Sequence, residues 1–186
     1  LGGSFNPAHE GHRHISLIAM AELGLDQVWW LVSPQNPLKP VEGMEGFDTR
    51  LSGARAAARH PRILVTDLER RLGTRYTADT LAVLKCYYPR THFVWLMGAD
   101  NLGQIHRWQR WRTIFRNVPV AVFDRPAYGL RALTAPAAQT YRASRVSQSR
   151  AGLLARRRSP GWVFFACRLE TQSSTAIRQA KRRVAP

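Results

Sequence analysis

Short apolar runs alternate with helical segments along this chain, and that alternation limits its possible folds more than any other feature. The runs are Gln27 to Ser33 (QVWWLVS), Arg62 to Asp67 (RILVTD), Thr91 to Met97 (THFVWLM), Val118 to Phe123 and Trp162 to Cys167. They are short and rich in β-branched and aromatic residues, so they read as buried strands. Between them, Glu10 to Leu23 carries apolar residues at helical spacing, and Gly24 is placed to end the helix. Asp48 is placed to cap a helix running to His60, with Pro61 ending it. Ala78 to Tyr88 reads as a helix stopped by Pro89, and Asn101 to Phe115 as one or two short helices. Ala137 to Arg158, inside a weakly periodic Ala/Ser/Arg-rich stretch, is expected to be helical or partly mobile; Ser173 to Arg183 reads as a last helix. Pro34 to Gly46 is a Pro/Gly loop. The pattern predicts an α/β fold: a Rossmann-like open, mostly parallel sheet with helices on both faces. At 186 residues the chain suits one domain spanning residues 1–186. Only Leu1 precedes Gly2-Gly3, where a strand feeding a Gly-rich turn needs several apolar residues, so the first strand is expected to be cut short.

Charge is unevenly spread. Residues 1–100 hold 11 basic and 10 acidic side chains, whereas residues 101–186 hold 17 basic and 2 acidic. Such a field attracts polyanions: nucleic acid, an acidic membrane or a nucleoside triphosphate. Of 28 basic residues only Lys39, Lys85 and Lys181 are lysine, an Arg bias that genome base composition also explains. No 18-residue apolar stretch or signal-peptide pattern is present, so no membrane partner is expected. Cys86 and Cys167 lie far apart with no CxxC, which excludes a disulfide framework and suits a reducing, cytoplasmic setting.

Two segments carry chemistry. In Gly2-Gly3-Ser4-Phe5-Asn6-Pro7-Ala8-His9-Glu10-Gly11-His12, glycines follow a strand remnant and precede a helix. Backbone N–H groups and a helix N-terminus then converge, which favours phosphate. The segment is neither a Walker A motif nor GxGxxG. His9 and His12 share a helix face. A zinc site on His9, His12 and His14 lacks obvious further ligands nearby, so no protein-held metal is expected. In Gln172-Ser173-Ser174-Thr175-Ala176-Ile177-Arg178, hydroxyls open a predicted helix. Ordinary N-capping explains them, and so does a phosphate held by N–H groups, hydroxyls and the Arg178 fork.

GSFNPAHEGH resembles the (T/S)-x-x-H-x-G-H signature of the nucleotidyltransferase superfamily, and SSTAIR resembles its C-terminal (I/V)SST-x-IR partner. Within that superfamily the chain is most similar to the bacterial nicotinate-nucleotide adenylyltransferases. Supporting segments are Trp30 to Lys39, Asp67 to Leu81, Phe93 to Leu102, Trp108 to Trp111 (WQRW) and Arg125 to Tyr128 (RPAY), in the family's order. Gln172 stands where a branched apolar residue is usual, and Asn6 where Asp is common.

The resemblance implies adenylyl transfer from ATP to nicotinate mononucleotide in NAD biosynthesis, with Mg²⁺ accompanying ATP. It implies His9, His12 and Arg178 as catalytic residues. It further implies ATP contacts from Gly3, Ser4, Phe5, Lys39, Gly98, Asp100, Ser174 and Thr175, and mononucleotide contacts from Tyr76, Thr77 and Trp108. Read from the residues alone, Tyr76-Thr77 is equally a helix cap, Asp100 an N-cap, and the Trp108/Trp111 pair core packing. Asp67 and Glu69 read as structural or solvated. A sister activity on nicotinamide mononucleotide or phosphopantetheine stays open. Nucleic-acid binding by the basic half lacks any recognition motif and is not expected as the main function.

Overall fold

In the computed structural model, residues 1–35, 42–125 and 128–166 are described. Strands β1 (Gly2–Gly3), β2 (Val28–Val32) and β3 (Ile63–Thr66) form one parallel sheet in the order β1-β2-β3. Strands β4 (Trp95–Gly98), β5 (Val120–Phe123), β6 (Arg145–Val146) and β7 (Trp162–Phe165) form a second parallel sheet in the order β4-β5-β7-β6. Gly2 and Gly3 pair with Leu31 and Val32. A Cβ on Gly2 would lie 2.4 Å from the Trp95 ring, so only glycine lets β1 approach β4 this closely.

Alternate residues of the strands feed two cores. Leu31, Trp95, Met97, Val120, Val122, Trp162 and Phe164 face one; Trp30, Val32, Leu96, Ala121, Phe123, Val163 and Phe165 face the other. Both sheets contribute to both cores, so the strands act as a single layer covered on two sides. That double burial is why the runs are apolar throughout rather than alternating.

Helices α1 (Glu10–Leu23) and α2 (Phe47–Ala58) cover one face. Helices α4 (Thr77–Tyr87), α5 (Ala99–Gln104), α6 (Trp111–Asn117) and α7 (Pro136–Thr140) cover the other. The short α3 (Leu68–Arg71) follows β3. On α1, Ile15, Ala19, Met20 and Leu23 are buried, and Gly24 ends the helix in the left-handed region at φ 61°. Trp30 Nε1 donates to Ser16 Oγ at 2.9 Å, and Ser16 Oγ donates to the His12 carbonyl at 2.7 Å, tying α1 to β2. No helix among the described residues is long and apolar enough to cross a membrane.

Several expectations are corrected. Gly46, not Asp48, precedes α2; Asp48 sits in the first turn, where its carboxylate suits the helix dipole and meets Arg70 at 3.0 Å. The helix ends at Ala58, with Arg59 left-handed at φ 40°. Residues 137–158 do not form one helix. Ala137, Ala138 and Tyr141 pack in one core, whereas Ala151 and Leu154 pack in the other. The chain must cross the sheet between them, and it does so through edge strand β6 and short 3₁₀ turns. The expected strands also contract: that starting at Thr91 begins at Trp95, and that starting at Val118 begins at Val120. The expected helix over Ser173 to Arg183 lies outside the described residues.

Candidate active site

The strand order runs outward in opposite directions from β1 and β4, which makes their C-terminal ends a topological switch point, the usual ligand crevice of such sheets. The segment leaving β1 turns sharply there. Phe5 is left-handed at φ 47° and sends its ring into the core, stacked on Trp30 at 5.1 Å. Its backbone, with those of Gly3 and Ser4, is left to line the turn. Ser4 is buried, and its Oγ has no hydrogen-bond partner among the described residues.

His9 and His12 build the N-terminus of α1 as a reciprocal cap. His9 Nδ1 accepts from the Gly11 N–H at 3.1 Å, and His12 Nδ1 accepts from the His9 N–H at 3.2 Å. With each Nδ1 accepting, the proton of the neutral ring resides on Nε2. The rings lie 4.0 Å apart between centroids. His9 is 5 % exposed, and its Nε2 has no partner among the described residues. Burial, helped by the Arg125 charge, pushes its pKa down to about 4. His9 therefore presents an uncharged, desolvated N–H donor beside a helix N-terminus.

From the second sheet, Gly98 ends β4 and precedes α5, with Asp100 in that helix's first turn. Asp100 Oδ1 lies 3.3 Å from Arg125 Nε, just beyond β5. A Cβ on Gly98 would fall 2.4 Å from Asp100 Oδ1 and 2.7 Å from Arg125 Nε, so the ion pair occupies the space a side chain would need. Gly3, Ser4, Phe5, His9, His12, Gly98 and Asp100 are thus grouped around the ends of β1 and β4. Lys39, Ser174, Thr175 and Arg178 lie outside the described residues.

Tyr76, Thr77 and Trp108 belong to a second group. Tyr76 is the extended residue preceding α4, and its carbonyl accepts from Asp79 and Thr80 N–H groups. An Arg110–Asp79 ion pair joins this helix start to the turn after Trp108. The tryptophan pair divides: Trp111 is 8 % exposed and packs edge-on to Phe115 and Tyr141, while Trp108 is only half-buried. Core packing accounts for Trp111 fully and for Trp108 in part, since Trp108 packs against the edge of the same core.

Sequence reasoning gave no site role to Arg50 or Arg125, and of the two readings left for Glu69, structural or solvated, the structure takes the structural one. Glu69 is buried, and the Ser33 and Thr80 side chains hydrogen-bond to it. Burial outweighs those bonds and pushes its carboxyl up to about 7. Arg50 had a legible signal: with Ala54 and Ala58 it shares a four-residue spacing on the buried stripe of α2. Arg125 follows a central strand at the ligand-binding edge, a position that marks it without motif knowledge.

For a metal, the groups around His9 are mainly N–H donors, and Asp100, the carboxylate among them, is paired with Arg125. Mg²⁺ requires oxygen ligands, so these residues do not form a cage for it. They suit an anion. The arrangement defines a class: an α/β protein with a turn of hydrogen-bond donors at a sheet switch point.

The comparisons narrow the class. The cytidylyltransferase-like family model matches residues 1–180. A probable nicotinate-nucleotide adenylyltransferase of Cereibacter sphaeroides is 56% identical over 182 residues, covering 98% of this chain and 96% of the relative. One of Parvibaculum lavamentivorans is 53% identical, covering 96% and 89%. The solved Plasmodium falciparum nicotinic acid mononucleotide adenylyltransferase complexed with NaAD superposes with a TM-score of 0.70 at 16% identity, covering 96% of this chain and 80% of that one. That likeness shows the shared fold. The chain belongs to the cytidylyltransferase-like family, and within it to the nicotinate-nucleotide adenylyltransferases.

Proposed function

We propose that this chain transfers the adenylyl group of ATP to nicotinate mononucleotide, giving nicotinate adenine dinucleotide and pyrophosphate. A phosphate oxygen of the mononucleotide attacks the α-phosphorus of ATP. The bond from that phosphorus to the α,β-bridging oxygen breaks, and its electron pair leaves with pyrophosphate. A phosphate monoester has a second pKa of about 6, so the nucleophile is already largely ionised at neutral pH. No general base is required. The catalytic task is to bring two anions together and stabilise charge moving onto the leaving group.

The observation that carries this reading is the buried His9 Nε2, a neutral donor without a partner among the described residues, beside the His12 ring. His9 and His12 donate to the triphosphate from Nε2. The Gly3–Phe5 backbone and Ser4 Oγ line the reacting phosphates, with Gly98 and Asp100 at the nucleotide's edge. Arg125 adds a fixed cation. Lys39, Ser174, Thr175 and Arg178 supply the remaining phosphate contacts. Mg²⁺ travels with the triphosphate and offsets part of its charge. Tyr76 and Thr77 N–H groups meet the nicotinate carboxylate, and Trp108 stacks on the pyridine ring. The setting is the cytoplasm.

Pyrophosphate release, measured with nicotinate and nicotinamide mononucleotides as alternative acceptors, tests the reading. A nicotinate preference is expected. A preference above about tenfold for the amide would reassign the acceptor, since that ratio corresponds to about 1.4 kcal/mol of transition-state discrimination.

A further inference from the structure

Arg50 is 2 % exposed, yet its guanidinium makes no ion pair among the described residues. Its N–H groups go to main-chain carbonyls. Nε donates to Glu45 at 3.0 Å, one terminal nitrogen donates to Ser4 at 2.7 Å and Ser33 at 2.8 Å, and the other donates to Pro34 at 2.9 Å. These carbonyls come from three places: the turn after β1, the segment leaving β2, and the approach to α2. Asn6 joins two of the same segments, donating from Nδ2 to the Gly43 carbonyl at 3.1 Å and accepting at Oδ1 from the Glu45 N–H at 3.2 Å. An aspartate at position 6 lacks that donor, so the asparagine has a structural use here.

The Ser4 contact bears on the site directly. In a trans peptide the carbonyl of one residue and the N–H of the next point in opposite directions. Holding the Ser4 carbonyl toward Arg50 therefore turns the Phe5 N–H the other way. It also keeps a carbonyl oxygen, which would repel an anion, out of the turn. Phe5 needs such restraint, because φ 47° is a conformation side-chain-bearing residues rarely adopt. Lysine cannot substitute: only a planar fork reaches several carbonyls in fixed directions.

We propose that Arg50 is a positioning residue of the nucleotide site. It orients the Ser4–Phe5 peptide for triphosphate binding and locks that turn to the segments on either side of residues 36–41. The inference rests on the adenylyl-transfer reading.

The test is Arg50→Lys, which keeps the charge and removes the fork. Calorimetry with Mg²⁺ and a non-hydrolysable ATP analogue should show affinity falling about tenfold or more, as expected when a preorganised donor is misaligned. The preference for nicotinate over nicotinamide mononucleotide should stay within about twofold, because general loosening of the fold would move both measures. Wild-type analogue affinity in Arg50→Lys overturns the proposal, as does a parallel collapse of affinity and acceptor preference. If the variant does not fold, hydrogen exchange on the wild-type chain replaces it. The analogue should protect residues 4–6 and 43–46 together, and protection of 4–6 alone overturns the coupling. A wild-type chain that binds the analogue but uses neither mononucleotide defeats the adenylyl-transfer reading, while analogue affinity still decides the role of Arg50.

Discussion

His9 and Glu69 are buried titratable groups whose pKa values move in opposite senses, and folding stability should register both. For His9, burial and then the Arg125 charge lower the folded value to about 4 from an ordinary 6.5. Above pH 6.5 both folded and unfolded states are neutral. As pH falls from 6.5 toward 4 only the unfolded chain gains the proton, so stability is lost. For Glu69, burial raises the folded value to about 7 from 4.5. Below pH 4.5 both states are protonated, and as pH rises toward 7 the unfolded chain ionises first, so stability is again lost. Each contribution is on the order of 3 kcal/mol across its window, and the two oppose each other between pH 4.5 and 6.5. Glu69→Gln should therefore leave an unfolding free energy that rises with pH across that interval, and His9→Gln one that falls. Urea denaturation at half-unit pH steps reads both slopes; equal slopes in the two variants would contradict the assignments. Separately, His12→Ala should lower kcat by well over tenfold, on the scale of about a hundredfold for loss of one preorganised donor, with the cooperative melt retained. Unchanged turnover removes His12 from the proposed machinery.

Between β4 and α5, Gly98 sits where the sheet hands the chain to the site. Alanine there must displace the Asp100–Arg125 pair, since its Cβ would fall 2.4 Å from one partner and 2.7 Å from the other. Gly98→Ala should cost about 1 kcal/mol of stability but lower kcat/KM more than tenfold, because the groups that move border His9. Kinetics beside a thermal melt test this, and near-wild-type kcat/KM would mean the ion pair can open freely. The elements that were legible in the sequence share a cause. Helix α1, with its Gly24 stop, and strands β2 and β7 bury side chains at one regular period, and periodicity is what a sequence displays. The 137–158 stretch failed as a helix because it serves one core and then the other, so no single period describes it. Asp48 misled because an acidic first-turn residue and an N-cap occupy neighbouring positions and satisfy related needs. At the site, the histidine spacing was visible, but the reciprocal cap that fixes both tautomers was not. It depends on ring orientation, which only the folded helix start defines.

Across the whole molecule, the chain's formal charge of +16 is concentrated after residue 100, whereas His9 and His12 come from its near-neutral first half. Exposed arginines such as Arg107, Arg112, Arg116, Arg142, Arg150 and Arg156 have one acidic residue, Asp124, for company within residues 101–166. Isolated surface charges of this kind contribute little to stability. Their combined field extends farther, and both proposed substrates are anions. Steering then acts on encounter rather than on the bound complex, where short-range contacts dominate. Raising ionic strength from about 0.01 to 0.15 M shortens the screening length from about 30 to 8 Å, which removes the distant arginines while sparing contacts inside the crevice. The expected result is a several-fold fall in kcat/KM for ATP with kcat nearly constant, at fixed free Mg²⁺. A flat kcat/KM would show that the arginine excess contributes no field at the switch point. Parallel losses in kcat and kcat/KM would show instead that salt reaches the catalytic contacts themselves, which conflicts with the burial of His9 and Ser4.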